Sequence, residues 1–291
     1  MNTPVFLAGA LSIILSAKAS AVLIFSSTAE RRLISFDSGA TGTLLSDVPI
    51  TGLTDPSESV QGIDFRPVTG QLYALGNAPN NICRLYTINP ATGVATRVGS
   101  TDLTLTGAFW GFDFNPTVDR IRVVSDTGTN IRLHPDTGAL VATDTILNAG
   151  AGTVTGIAAA AYDRNDINPA TLTTLFAINS TTDQLVRIGG VDGTPSPNGG
   201  EVNIIGPLGV DTTGFAGLDI YNATEAFAVL SFVPTSLFTI NLATGAATPL
   251  GGINTPGSIA GVTGMAVVPE PAGLALGAWA AAGSCLRRRR R

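Results

Sequence analysis

One short signature returns along this chain and sets the size of its building unit. It reads VQGIDFRP from Val60, FWGFDFNP from Phe109 and FAGLDIYN from Phe215, with weaker copies VTGIAAAA from Val154 and VTGMAVVP from Val262. The shared glycines, Gly62, Gly111, Gly156, Gly217 and Gly264, stand 49, 45, 61 and 47 residues apart. Four strands and their turns take about 40–50 residues in one blade of a β-propeller. Each unit divides in the same way. GIDF leads to QLYALG, RLYTINPATG and VATRVG; GFDF leads to DRIRVVS, NIRLHPDTG and ALVAT; GLDI leads to EAFAVLS, SLFTINLATG and AATPL. Apolar and polar residues alternate over four to seven positions, the period of a half-buried strand.

The turns carry a second repeat. NPATG from Asn89, HPDTG from His134 and NLATG from Asn241 fall between the third and fourth strands of their units. A hairpin closing on Gly uses the one residue that accepts positive φ at low cost. The fourth unit instead carries GGVDGTPSPNGGEV from Gly189, a Gly/Pro-rich insertion that accounts for the 61-residue spacing. At the ends, VLIFSS, RRLISFD and GTLLSDV supply three strands and GMAVV supplies a lone first strand. Joined, they complete one blade and leave no open edge. The expected fold is an all-β propeller of five four-stranded blades closed by pairing of the two termini. Six blades follow if residues 46–59 or 101–108 hide strands, and a two-domain sandwich is a third arrangement.

Composition agrees with many short strands: 44% of residues are hydrophobic, 13% charged, and 34 are Gly. Outside Lys18 and the final five arginines, ten basic residues face 21 acidic ones. That balance leaves no basic face for a nucleic acid. Of the two cysteines, Cys83 lies in the body and Cys285 in the tail, so the body holds no internal disulfide.

Candidate chemistry is sparse. The lone histidine, His134, occupies the turn position that holds Asn89 and Asn241 elsewhere, so it reads as a turn-capping residue. No other His or Cys stands ready to complete a metal site with it. Asp64, Asp113 and Asp219 recur in the GxD signature, while the notable departures are Ala159 and Ala266. On innermost strands the three carboxylates would face a central channel. There they either bond backbone N–H groups of their own blades or present oxygen ligands to Ca²⁺. Arg120 and Arg122 share one face of a strand, with Arg132 on the next. They either meet an acidic polysaccharide or form a solvated face paired with Asp119 and Asp136.

The ends of the chain read as addresses. An apolar run from Val5 to Leu15 precedes Ala19-Ser20-Ala21, a small-x-small signal-peptidase pattern, so residues 1–21 are expected to be removed on export. Residues 22–268 form the propeller. Residues 269–291 form a tail: Val268, Pro269, Glu270 and Pro271, then an apolar stretch over Ala272–Leu286, then Arg287, Arg288, Arg289, Arg290 and Arg291. As a helix the stretch spans about 22 Å, short of the ~20 residues of a full membrane span. The arginines would stay cytoplasmic.

These three parts resemble the PEP-CTERM sorting signal of Gram-negative bacteria. The resemblance implies recognition by an exosortase-type protease at the inner membrane, cleavage near the Pro-Glu-Pro motif, and delivery to the cell surface or matrix of bacteria that commonly make exopolysaccharide. The body, with GIDFRPVTGQLYALG and RLYTINPATG, resembles domain-of-unknown-function family 4394. That resemblance implies an exported propeller and no established activity. The expected function is non-catalytic: a surface or matrix propeller, structural or binding exopolysaccharide or another surface protein. The alternative is a secreted calcium-dependent hydrolase or lactonase using the channel carboxylates.

Overall fold

Glycine at the first position of the signature in four strands, and a small residue in the fifth, let five strands crowd around one axis. The strands Ser59–Phe65, Trp110–Asn115, Ile157–Tyr162, Ala216–Ile220 and Val262–Val267 contact one another in that order, and the last returns to the first. A Cβ on Gly62 would stand 2.5 Å from Phe112 Cβ, and one on Gly111 would stand 2.6 Å from Ala160 Cβ. The computed structural model describes residues 21–223, 225–231, 234–253 and 261–269.

Each inner strand begins a four-stranded antiparallel ladder running outward. Blade two adds Leu72–Ala78, Ile82–Ile88 and Ala95–Arg97; blade three adds Arg120–Ser125, Asn130–Leu133 and Leu140–Thr143. Blade four adds Leu175–Asn179, Gln184–Ile188 and Val202–Pro207; blade five adds Ala226–Leu230, Ser236–Ile240 and Ala247–Gly252. Blade one is shared by the two ends: Val262–Val267 pairs with Leu23–Thr28, followed by Arg32–Asp37 and Leu44–Pro49. Ile24 stands opposite Val267 and Phe25 opposite Ala266 in this closing ladder. Val268 N–H then reaches Leu23 O at 3.0 Å. Pro269, with no N–H to donate, follows directly.

The chain therefore forms a five-bladed propeller. No sixth blade arises from the two doubtful stretches. Leu103–Thr104 adds to blade two by pairing with Ile82 and Cys83, and Thr51 makes a parallel bridge to Val94.

The strands are more deeply buried than half-buried strands would be. Inner strands such as Ile157–Tyr162 are buried at every position, and only outermost strands such as Leu140–Thr143 are mostly exposed. Blades pack face to face, so both faces of a strand near the axis are covered. The core accordingly divides into five clusters, each lying between neighbouring blades.

The repeated turns behave as capped hairpins. Asn89 Oδ1 accepts from Ala91 and Thr92 N–H, and Asn241 Oδ1 from Ala243 and Thr244 N–H. His134 Nδ1 accepts from Asp136 N–H at 3.2 Å, the same role in imidazole form. Gly93 closes its turn at φ 72°, and a Cβ there would collide with Pro49 O of the preceding blade.

Candidate functional site

Two polar clusters stand out. The first lies on the axis. Innermost strands are blade edges, so their inward N–H groups need partners from outside their own ladder. Asp64 Oδ2 accepts from Phe114 N–H at 2.8 Å, and Asp113 Oδ1 from Tyr162 N–H at 3.0 Å. Asp219 Oδ2 accepts from Val267 N–H at 2.6 Å. Each bond crosses to the next blade, rather than staying within one blade as expected. Asp219 also bonds within its own blade, through Oδ1 to Ile220 N–H at 2.6 Å, and Phe65 N–H acts on Asp64 in the same way.

The register explains where aspartate is missing. Tyr162 matches Phe114 in receiving a carboxylate, so Ala161 is blade four's counterpart of Asp113. Ala161 stands opposite Phe176 on the second strand, as Asp113 stands opposite Arg122. The departure is therefore at Ala161 rather than Ala159. A bulge between Ile157 and Ala159 displaces the register, and Gly156, at φ 84°, lies before the strand. The counterpart in blade one is Ala266, as expected.

Ligand oxygens of Asp64, Asp113 and Asp219 lie within 4.8 Å of one another, and the three residues are each 1% exposed. Burial raises the pKa of Asp64, and the charge of Asp219 raises it further. Burial also raises Asp113, followed by the charges of Asp64 and Asp219. Burial pushes Asp219 to about 6 despite two backbone donors. Such a set holds protons near neutrality or accepts an oxygen-loving cation. One oxygen from each carboxylate would supply at most half of the six to eight oxygens that Ca²⁺ takes.

The second cluster is a cavity of about 140 Å³ between blades three and four. It is lined by Arg120, Arg122 and Arg132, with Asn115, Tyr162 and Asn198 among the others. Arg122 is 2% exposed and fixed on all sides. It donates to Tyr162 Oη, Asn130 Oδ1, Asp144 Oδ2 and Asn198 Oδ1 at 2.6–3.2 Å. Arg132 stands opposite it on the neighbouring strand and forks onto both oxygens of Asp144. Arg120 donates only to the carbonyls of Val118 and Asp119. The expected pairing with Asp119 and Asp136 does not form, because both carboxylates are held by Arg66.

The blade-four insertion supplies one wall of this cavity. Thr145 N–H donates to Asn198 O, Asn148 N–H to Gly200 O, and Asn130 Nδ2 to Pro197 O. The sequence marks the insertion by length and by its Gly/Pro content, but nothing local shows that it folds back onto blade three. Asp144, just past the end of a strand, carries no motif. A third group gave no sequence signal either. Glu58, fully buried, accepts from Arg84 Nη1 at 3.1 Å and Tyr86 Oη at 2.8 Å, and Arg84 also pairs with Asp102. Beside it Cys83 is buried, and desolvation followed by the charge of Glu58 pushes its thiol to about 12, which makes it inert.

Val268 and Pro269 end the described chain, and Ala21 begins it. Ala19, Glu270, Pro271, Cys285 and Arg287–Arg291 lie outside the described residues. Among the described residues no helix is long and apolar enough to cross a membrane.

Fold and clusters together define a five-bladed propeller with an acidic axis and an arginine-lined cavity. The family model for the domain of unknown function DUF4394 matches residues 32–266, and the chain belongs to that family. No curated protein matches it in sequence. Among solved structures, it is similar to a protein of unknown function from Bacteroides caccae at 7% identity and a TM-score of 0.45, over 86% of this chain and 100% of that one. A putative exo-β-1,3-galactanase from Bifidobacterium bifidum S17 is 12% identical with a TM-score of 0.47, over 83% and 90%. Glutaminyl cyclase from Myxococcus xanthus is 12% identical with a TM-score of 0.40, over 79% and 95%. Likenesses this distant carry nothing about activity.

Proposed function

We propose that this protein is an exported, non-catalytic propeller, delivered to the cell surface or extracellular matrix, where it binds a polymeric partner such as an exopolysaccharide or another surface protein. The observation that carries the binding role is the cavity between blades three and four, where three arginines and two amides gather in an otherwise acidic body. The export role rests on the apolar leader ending at Ala21 and on the Pro-Glu-Pro, apolar and arginine parts of the tail. Signal peptidase and an exosortase-type protease are the partners this route requires. Binding to a glycan array tests the first role. Fractionation of the tagged wild type and Glu270→Ala tests the second: the variant should stay unprocessed in the membrane, and unchanged processing would count against sorting.

A second reading, a calcium-dependent hydrolase or lactonase, draws on the convergence of Asp64, Asp113 and Asp219. Their burial argues against it, since a substrate would reach them only through an opened axis. It expects millimolar Ca²⁺ to raise the melting temperature and Asp64→Asn to abolish turnover. A melting temperature indifferent to both Ca²⁺ and chelator removes this reading.

A further inference from the structure

We infer that the cavity between blades three and four binds a carboxylate carried on a hydroxylated ring, an acidic sugar unit, with Arg120 and Arg132 as its direct ligands. This deepens the binding role proposed above and rests on it.

The argument begins with unused donors. Arg120 spends only Nη1, on two carbonyls of its own turn, so its Nε and Nη2 have no hydrogen-bond partner among the described residues. Arg132 spends Nε and Nη2 on Asp144 and keeps Nη1 free among the same residues. Asn198 Oδ1 accepts from Arg122, and Asn115 Oδ1 accepts from Thr117 N–H. These bonds fix both amides with oxygen engaged, and neither Nδ2 has a partner among the described residues. The lining is therefore rich in donors. A ligand that answers it brings acceptors and negative charge.

Charge points the same way. The three guanidiniums lining the cavity have one carboxylate shared between two of them, Asp144. Arg120 acts electrostatically on Asp136, but that carboxylate is bonded to Arg66. Position is settled by the ladder. Arg120 and Arg122 alternate along one strand and Arg132 faces Arg122 across the pair, so all three project from one face. Arg122, buried and using four of its five N–H donors, fixes the wall residues Tyr162 and Asn198.

Size selects a ring over a bare anion. A volume of about 140 Å³ is far more than the ~10–15 Å³ that a single small group such as one water needs, and more than one carboxylate fills. The guanidiniums suit the carboxylate, because a planar fork matches it bidentately. The amides of Asn115 and Asn198 and the hydroxyl of Ser196 suit ring hydroxyls.

The test is titration of the purified full chain with a galacturonic-acid trisaccharide, a glucose trisaccharide and inorganic sulfate. Three results are expected together. The acidic trisaccharide binds, and weakens at higher salt. The neutral trisaccharide and sulfate bind at least 10-fold more weakly. Arg120→Gln and Arg132→Gln each lose at least 10-fold in affinity for the acidic trisaccharide, while Arg32→Gln in blade one loses nothing. Arg120→Gln should melt with the wild type, since Arg120 bonds only carbonyls of its own turn. Sulfate binding as tightly as the acidic trisaccharide would overturn the sugar assignment, and so would wild-type affinity in the two cavity variants. If wild type and both variants bind a polymer on the array equally, the cavity assignment fails and the surface-binding role stands. If the wild type binds no polymer, both fail.

Discussion

Each axial aspartate does the work of a bridge between blades. Five inner strands offer inward N–H groups at equivalent positions: Phe65, Phe114, Tyr162, Ile220 and Val267. Asp64, Asp113 and Asp219 bond Phe114, Tyr162 and Val267 in the following blades. Where the preceding blade has Ala161, Asp219 turns its second oxygen to Ile220 N–H instead. Asp64 stands in the same relation to Phe65, whose N–H favours the ionised form. Three carboxylates thus serve a five-fold need, and the two alanines limit repulsion in a dry axis. The charge still has a pH signature. The folded pKa of Asp219, about 6, lies above the unfolded value of 3.8. Its contribution is therefore fully present below pH 3.8 and is lost as pH rises through 6. At 1.36 kcal/mol per unit, this amounts to about 3 kcal/mol. Chemical denaturation from pH 4 to pH 7 should show the wild type losing about that much relative to Asp219→Asn. A wild type that instead gains on the variant over this range would indicate ionised carboxylates neutralised by a cation. Buried charge makes a second prediction. Arg84→Met leaves Glu58 without its cation, and such losses cost about 3–5 kcal/mol. Urea unfolding should show this, with Glu58→Gln added to Arg84→Met recovering part of it.

At the level of strands, the signature glycine and its blade-four counterpart show what repeats record. Gly62, Gly111, Gly217 and Gly264 are required by close approach rather than by backbone conformation. A methyl at Gly62 meets Phe112 Cβ at 2.5 Å, and overpacking of this kind costs about 1–3 kcal/mol. Gly62→Ala should lower the melting temperature, and a variant as stable as the wild type would mean that the inner strands have room to spread. In blade four the small residue at this position is Ala159, packed among the inner strands, whereas Gly156 serves the turn before it. The sequence pattern aligned Gly156, three residues before Ala159, because nothing in the run IAAAA marks which small residue packs at the axis. The arginine pairing was misread for a related reason. Arg120 and Arg122 were placed on one face, which follows from strand period alone, whereas Arg132 joins them through the register of the next strand. Their partners depend on which loop folds over that face, and here the insertion brings Asn198 while Asp144 comes from the end of the blade.

Across the molecule, ring closure joins residues more than 200 positions apart. Ser27 and Thr263 bond through their hydroxyls at 3.0 Å, and the ladder runs from Val267 back to Val262. The last backbone bond, Val268 N–H to Leu23 O, immediately precedes Pro269. On the proposed sorting route the cleavage motif thus begins where the propeller ends. A chain stopped after Pro269 should melt within about 2 °C of the full chain, whereas one stopped before Val262 should fail to fold, both read by circular dichroism. The second change strips blade one of its inner strand and exposes the faces of its two neighbours.

The number of blades, their strands, the turn chemistry and the shared closing blade were all legible from local pattern. Hydrophobic period and turn glycines act over a few residues, and the units repeat them, the fourth with an insertion. The convergence of the three aspartates was legible too, because equivalent positions in a closed ring must face one axis. Their crossing to the next blade, the compensation at Ala161 and Ala266, the buried Glu58–Arg84 pair and the arginine cavity were not. Each depends on contacts between segments far apart in the chain, and their geometry is set only when one blade packs against another.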